Sequence, residues 1–97
     1  MCFYNSVIKA SVVKLTALLG VPHYESNNGK DKVNFEWECE NENGIFTIYD
    51  WKEYRSISKD EKIEWHIGGA SEFLTNKMKI LLELALKDGG KELKIKV

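Results

Sequence analysis

Residues 46–71, F-T-I-Y-D-W-K-E-Y-R-S-I-S-K-D-E-K-I-E-W-H-I-G-G-A-S, gather most of the side chains able to do chemistry. They hold two of the three Trp, two of the four Tyr, one of the two His and the only Arg. An enzyme needs a nucleophile, or a base held by an orienting partner. His66 is the one base with carboxylates at hand, and its candidate partners are Glu64, two residues away on the same strand face, and Asp50. No Ser or Cys occupies a recognisable nucleophile turn. Pairs like Glu64 and His66 are common on wetted sheets, so catalysis is not the expectation. For Asp50, near the core-facing side of its strand, a structural hydrogen bond is expected. There is no Cys-x-x-Cys pair, and His23 and His66 lack helical ligand spacing, so zinc has no support and no cofactor is implied.

Binding is better served than catalysis. Tyr49 and Trp51 alternate on one strand and offer flat stacking surfaces among polar neighbours. Lys52 and Arg55 follow in the next connection, and His66 precedes Gly68-Gly69-Ala70-Ser71 at a strand-to-helix junction. Glycine amides at a helix N-terminus can approach an anion closely, with Ser71 closing on it. The candidate ligand site is therefore Tyr49, Trp51, Lys52, Arg55, His66, Gly68, Gly69 and Ser71. Each member also has a structural reading. Tyr49 and Trp51 could pack under the connection or against a second subunit, Gly68-Gly69 could be a plain turn, and Lys52 and Arg55 could be solvated loop residues.

The elements that must position these groups follow from periodicity. Residues 3–10 lean towards a short strand. Ser11 caps a helix over 12–19, where Val12, Leu15, Thr16 and Leu19 recur at helical spacing and Gly20 supplies the stop. Residues 23–31 read as a solvated loop. Over 32–40, Val33, Phe35, Trp37 and Cys39 alternate with Asn34, Glu36, Glu38 and Glu40, one face buried and one wet. Asn43-Gly44 predicts a two-residue type I′ turn that pairs Cys39 with Ile48, Glu38 with Tyr49 and Glu36 with Trp51. Residues 52–61 predict a mobile connection, and 62–68 a strand with Ile63, Trp65 and Ile67 inward, broken by Gly68-Gly69. Ser71 caps a second helix over 72–87, with a stripe of Leu74, Met78, Leu81 and Ala85 widened by Ile80, Leu82 and Leu84. Residues 91–97 alternate again, as an edge strand or an oligomer contact. The predicted class is α+β: one domain over 1–97, an antiparallel meander of three to five strands with two helices on one face.

Composition bounds the partners. Ninety-seven residues, 43% hydrophobic and 30% charged, suit one small globular domain, and a net charge of −1 neither draws it to nucleic acid nor excludes it. Glu36, Glu38, Glu40 and Glu64 share the face of Tyr49 and His66, which disfavours extended nucleic acid. Cys2 and Cys39 do not suggest a disulfide framework, so a reducing cytosol fits. No apolar run approaches membrane-spanning length and no secretory leader is evident, so a soluble protein with no membrane partner is expected.

Three stretches carry a resemblance: I-K-A-S at 8–11, F-T-I-Y-D-W-K at 46–52 and I-E-W-H-I-G-G at 63–69. Together they resemble a family of small, mostly uncharacterised proteins of tailed bacteriophages, over most of 7–86. The resemblance carries no activity with it. It implies a phage origin and a place in the bacterial host cytoplasm, where small phage proteins inactivate host components. The leading expectation is a non-enzymatic anti-defence protein that sequesters a small anionic, nucleotide-like ligand. The alternative is a protein–protein inhibitor of a host enzyme or defence protein, docking through the same aromatics and the Glu36/Glu38/Glu40 row. The wide apolar surface of the second helix adds the expectation of a homodimer.

Overall fold

The computed structural model describes residues 2–26, 29, 30 and 32–87. Its elements are β1 (Cys2–Ala10), α1 (Val12–Leu19), β2 (Tyr24–Glu25), β3 (Phe35–Asn41), β4 (Gly44–Tyr49), β5 (Ile63–Gly69) and α2 (Glu72–Lys87). The five strands form one antiparallel sheet in the order β1-β5-β4-β3-β2. A meander runs from β2 to β5, and β1 is added beside β5. The fold is α+β, as the periodicities predict.

Local signals place both helices. Ser11 Oγ accepts the Lys14 amide at 3.2 Å, and the Gly20 amide closes α1 on the Thr16 carbonyl at 2.8 Å. Ser71 Oγ accepts the Leu74 amide at 3.2 Å, and Glu72 and Lys87 stand at the ends of α2 where their charges suit the helix dipole. Val12, Leu15 and Leu19 of α1 and Leu74, Met78 and Leu82 of α2 enter one core with Phe35, Trp37, Phe46, Ile48, Trp65 and Ile67. Trp37 and Trp65 meet edge-to-face at 5.4 Å. Their indole N–H groups donate to the carbonyls of Gly20 and Ala10, each at 2.9 Å, so neither ring buries an unmet donor. Trp37 thereby ties the end of α1 to β3.

Several sequence expectations need correction. The hairpin turns on Glu42-Asn43, with Asn41 opposite Gly44, Trp37 opposite Ile48, Glu38 opposite Thr47 and Glu36 opposite Tyr49. Asn41 Oδ1 accepts the Asn43 amide at 2.8 Å, and this local turn outcompetes the Asn-Gly preference. Helix α2 holds the turn there, because Asn41 Nδ2 reaches Met78 Sδ at 3.2 Å and Lys77 Nζ donates to Asn43 Oδ1 at 2.9 Å. The register shift is two residues, so every side chain keeps its predicted face. The predicted loop 23–31 contains β2, where Tyr24 pairs with Glu36.

Asn34, predicted wet, is fully buried. The connection 52–61, predicted mobile, is anchored by Ile57, which is 2% exposed in the core. Gly68 and Gly69 do not break β5; they are its buried last residues. A Cβ on Gly69 would stand 2.9 Å from Thr75 Cγ2 and 3.3 Å from a Leu74 methyl, so the missing side chain is what lets α2 lie against the strand. Within α2, Leu82 is fully buried and Leu81 only partly so. Residues 91–97, with their strand or oligomer expectation, lie outside the described residues.

Candidate functional site

Alternation along β4 and β5 turns Thr47, Tyr49, Glu64 and His66 away from the helices, as their inward neighbours Phe46, Ile48, Trp65 and Ile67 are fully buried. Tyr49 lies directly opposite His66 across the β4–β5 pair, with ring centroids 5.5 Å apart. Trp51 extends beyond β4 and folds back onto both, 6.1 Å from Tyr49 and 6.4 Å from His66. Phe3 of β1 stacks on the other side of His66 at 3.9 Å, its plane within 8° of the imidazole. The outcome is a row of four rings, Phe3, His66, Tyr49 and Trp51, on the helix-free face.

Two ammonium groups lie at the Trp51 end, Lys52 Nζ at 5.6 Å and Lys32 Nζ at 5.8 Å from the ring centroid. Lys52 has a left-handed backbone (φ 56°), and its amide donates to the Lys32 carbonyl at 2.7 Å, which joins the two segments carrying these lysines. The electrostatics differ along the row. Partial burial pushes the Tyr49 phenol up, and the facing Glu36 carboxylate adds to the shift. Burial pulls the His66 imidazole down, with Glu64 opposing. His66 is therefore disposed to be neutral and to present its ring as a surface rather than as a cation.

The other predicted site residues are held elsewhere. Arg55 makes a two-pronged pair with Glu61, at 2.8 and 2.6 Å, and sits 3.5 Å from Glu53. The hydrogen bond to Glu61 holds the Arg55 pKa above its ordinary value, and the Arg55 guanidinium in turn holds the Glu61 carboxyl below its own. The Arg55 carbonyl accepts from buried Asn34 Nδ2 at 3.0 Å, which pins this part of the connection to the core-facing side. Gly68 and Gly69 are paired on both flanks, with Thr47 and Phe46 of β4 and with Phe3 and Cys2 of β1. Ser71 has its hydroxyl on the Leu74 amide as the α2 cap. Of the eight predicted residues, the structure gathers Tyr49, Trp51, Lys52 and His66, and it adds Phe3 and Lys32.

Neither added residue carries a sequence signal of its own. Phe3 reaches His66, more than sixty residues away in the chain, only because β1 pairs with β5, a pairing no local pattern announces.

Among the described residues no carboxylate hydrogen-bonds His66, and Glu64 acts on it only through its charge. Asp50 lies on the opposite face, where Oδ1 accepts the amides of Asn34 and Phe35, both at 2.8 Å, and Oδ2 accepts Asn34 Nδ2 at 3.1 Å. The structural hydrogen bonds expected of Asp50 are thus present. Among the described residues no cluster of His, Cys, Asp and Glu could hold a metal ion, and no helix is long and apolar enough to cross a membrane. The chain matches no protein-family model, no curated protein and no solved structure.

Proposed function

We propose that this chain is a non-enzymatic binding protein whose helix-free sheet face docks onto a protein of a bacterial host and inactivates it. The observation that carries the reading is the four-ring row with untethered polar atoms. Tyr49 Oη, Trp51 Nε1 and both His66 nitrogens make no hydrogen bond among the described residues, while Trp51 is 40% and Phe3 36% exposed. Rings of this kind, with polar tips left for a partner, dominate the energetics of protein interfaces. Two hollows of about 290 and 380 Å³ lie at the far end of β1, and none of the four rings lines either of them. The acidic row of Glu36, Glu38 and Glu40 on β3 borders the rings and would favour a basic partner surface. A phage origin and a host-cytoplasmic setting rest on the resemblance in the T-I-Y-D-W-K and E-W-H-I-G-G stretches.

Sequestration of a small anionic, nucleotide-like ligand is the second reading, favoured by Lys32 and Lys52 beside the Trp51 ring. Arg55, Gly68, Gly69 and Ser71 already have partners inside the chain, which leaves this reading with fewer phosphate contacts than the sequence suggests. A homodimer is supported by Phe73, Ile80 and Leu84, which recur on one side of α2 and are 75%, 59% and 54% exposed. The test is affinity capture from bacterial lysate with the wild type and with Trp51→Ala/His66→Ala. A single host protein that rebinds in purified form to the wild type, and at least tenfold more weakly to the variant, supports docking. A nucleotide released on denaturing the wild type would move support to the second reading. If variant and wild type bind alike, the ring face is not the site.

A further inference from the structure

At the end of β1 remote from the rings, three segments far apart in sequence bring cations to one hollow. Lys9 comes from β1, Lys14 from the first turn of α1 and Lys62 is the residue before β5. They line a concavity of about 290 Å³ together with Ser11, Asp60 and Leu86. No hydrogen bond or ion pair engages any of the three ammonium groups among the described residues. Three lysines against the single carboxylate of Asp60 leave the hollow with a formal charge of +2, in a chain whose net charge is −1. The adjoining hollow of about 380 Å³ shares Lys9 and Lys62 and adds Lys79, but Glu64 and Glu83 cut its formal charge to +1. The positive potential is therefore concentrated at the Lys14 end.

We propose that this hollow is a binding site for a small phosphate-bearing ligand, separate from the ring face. Like charges brought together in a concavity raise the local concentration of an anion and repel one another until it arrives. The volume lies at the lower end of the range for small-molecule sites, which suits a pyrophosphate or a sugar phosphate better than a whole dinucleotide. The site rests on the lysines and not on the start of α1. The amides there already have acceptors: Val13 donates to the Lys59 carbonyl at 3.1 Å, Lys14 to Ser11 Oγ at 3.2 Å and Leu15 to the Ser11 carbonyl at 3.1 Å. Leu86 and the lysine stems form an apolar rim against which the non-phosphate part of such a ligand can lie. From Lys62 to His66 is four residues along one extended segment, about 13 Å at the usual rise, so a ligand of this size does not touch both sites.

The experiment is a titration of 15N-labelled full-length protein with pyrophosphate, against sodium chloride at matched ionic strength. Saturable shifts confined to amides near residues 9–14 and 60–63 are expected. Lys9→Ala/Lys62→Ala should weaken them at least about tenfold, the loss expected for one or more charge-assisted bonds. Lys9→Arg/Lys62→Arg should restore binding, and Lys32→Ala/Lys52→Ala should leave it unchanged. Absence of saturation, equal response to chloride, or saturation that survives Lys9→Ala/Lys62→Ala would overturn the proposal. Shifts centred on Trp51 would also overturn it and would favour the nucleotide reading of the ring face. Because the lysines are exposed, an unchanged amide spectrum away from the hollow verifies that the variants fold.

Discussion

On the helix-covered face of the sheet, Trp37 and Trp65 have no exposed surface, and each indole N–H donates to a backbone carbonyl. On the opposite face, the side chains of Tyr49, Trp51 and His66 touch one another, remain partly exposed and make no hydrogen bond among the described residues. The polar groups divide in the same way. Asp50 is buried and accepts three hydrogen bonds, while Glu38 and Glu40 stand in water with their side chains. One face has its rings and polar atoms satisfied within the chain, and the other leaves them for something outside it. That difference separates residues that hold the fold from residues able to carry binding, a distinction residue type alone does not make.

The sharpest way to break the comparison is to truncate one ring on each face. Trp65→Ala should lower stability by about 3–5 kcal/mol, as the loss of a fully buried aromatic does, with a large drop in the urea midpoint. Asp50→Ala should follow at about 2–4 kcal/mol in the same measurement, since two buried amides and the Asn34 side chain lose their acceptor. A loss below 1 kcal/mol for either would mean that the covered face is not the stabilising one.

Cys39 extends the contrast to pH. Burial, helped by Glu38, pushes its thiol from 9.0 up to about 12. The folded chain therefore keeps the proton more tightly than the unfolded chain, so this contribution to stability is complete below pH 9 and is lost as the pH rises towards 12. In a Cys2→Ser background, a thiol reagent at pH 8 should label Cys39 only on unfolding. Prompt labelling of the native protein would show that the covered face opens readily.

The open face should give the smallest effects. Trp51→Ala is expected to cost about 1 kcal/mol or less in urea while removing partner binding. For His66, burial holds the imidazole below its ordinary 6.5, with Glu64 opposing. Its contribution is present above pH 6.5 and is lost as the pH falls through the lower folded value, a slight acid destabilisation that His66→Gln should remove. Equal acid sensitivity in the variant would place the effect elsewhere.

Much of this is legible in the sequence. The caps Ser11 and Ser71, the helix spans and the two-residue alternation along β3, β4 and β5 are short-range properties, and they assigned Tyr49 and His66 to one face correctly. The hairpin register departs from the Asn-Gly expectation because an Asx turn at Asn41, locked by Met78 and Lys77 of α2, competes with it. Asn34 looked wet because alternation says nothing of a buried acceptor sixteen residues away at Asp50.

By itself the sequence determined the periods, the caps and hence which side chains of each strand share a face, because these depend on neighbours a few bonds away. Only the tertiary structure decided that Phe3 completes the ring row, that Arg55 closes on Glu61, that Gly68 and Gly69 are sealed between two strands, and that Lys9, Lys14 and Lys62 share one hollow. Those outcomes depend on which strand lies beside which and on how the connections cross the core. Strand order is set by the summed burial of the whole chain and leaves no mark on any one stretch of it.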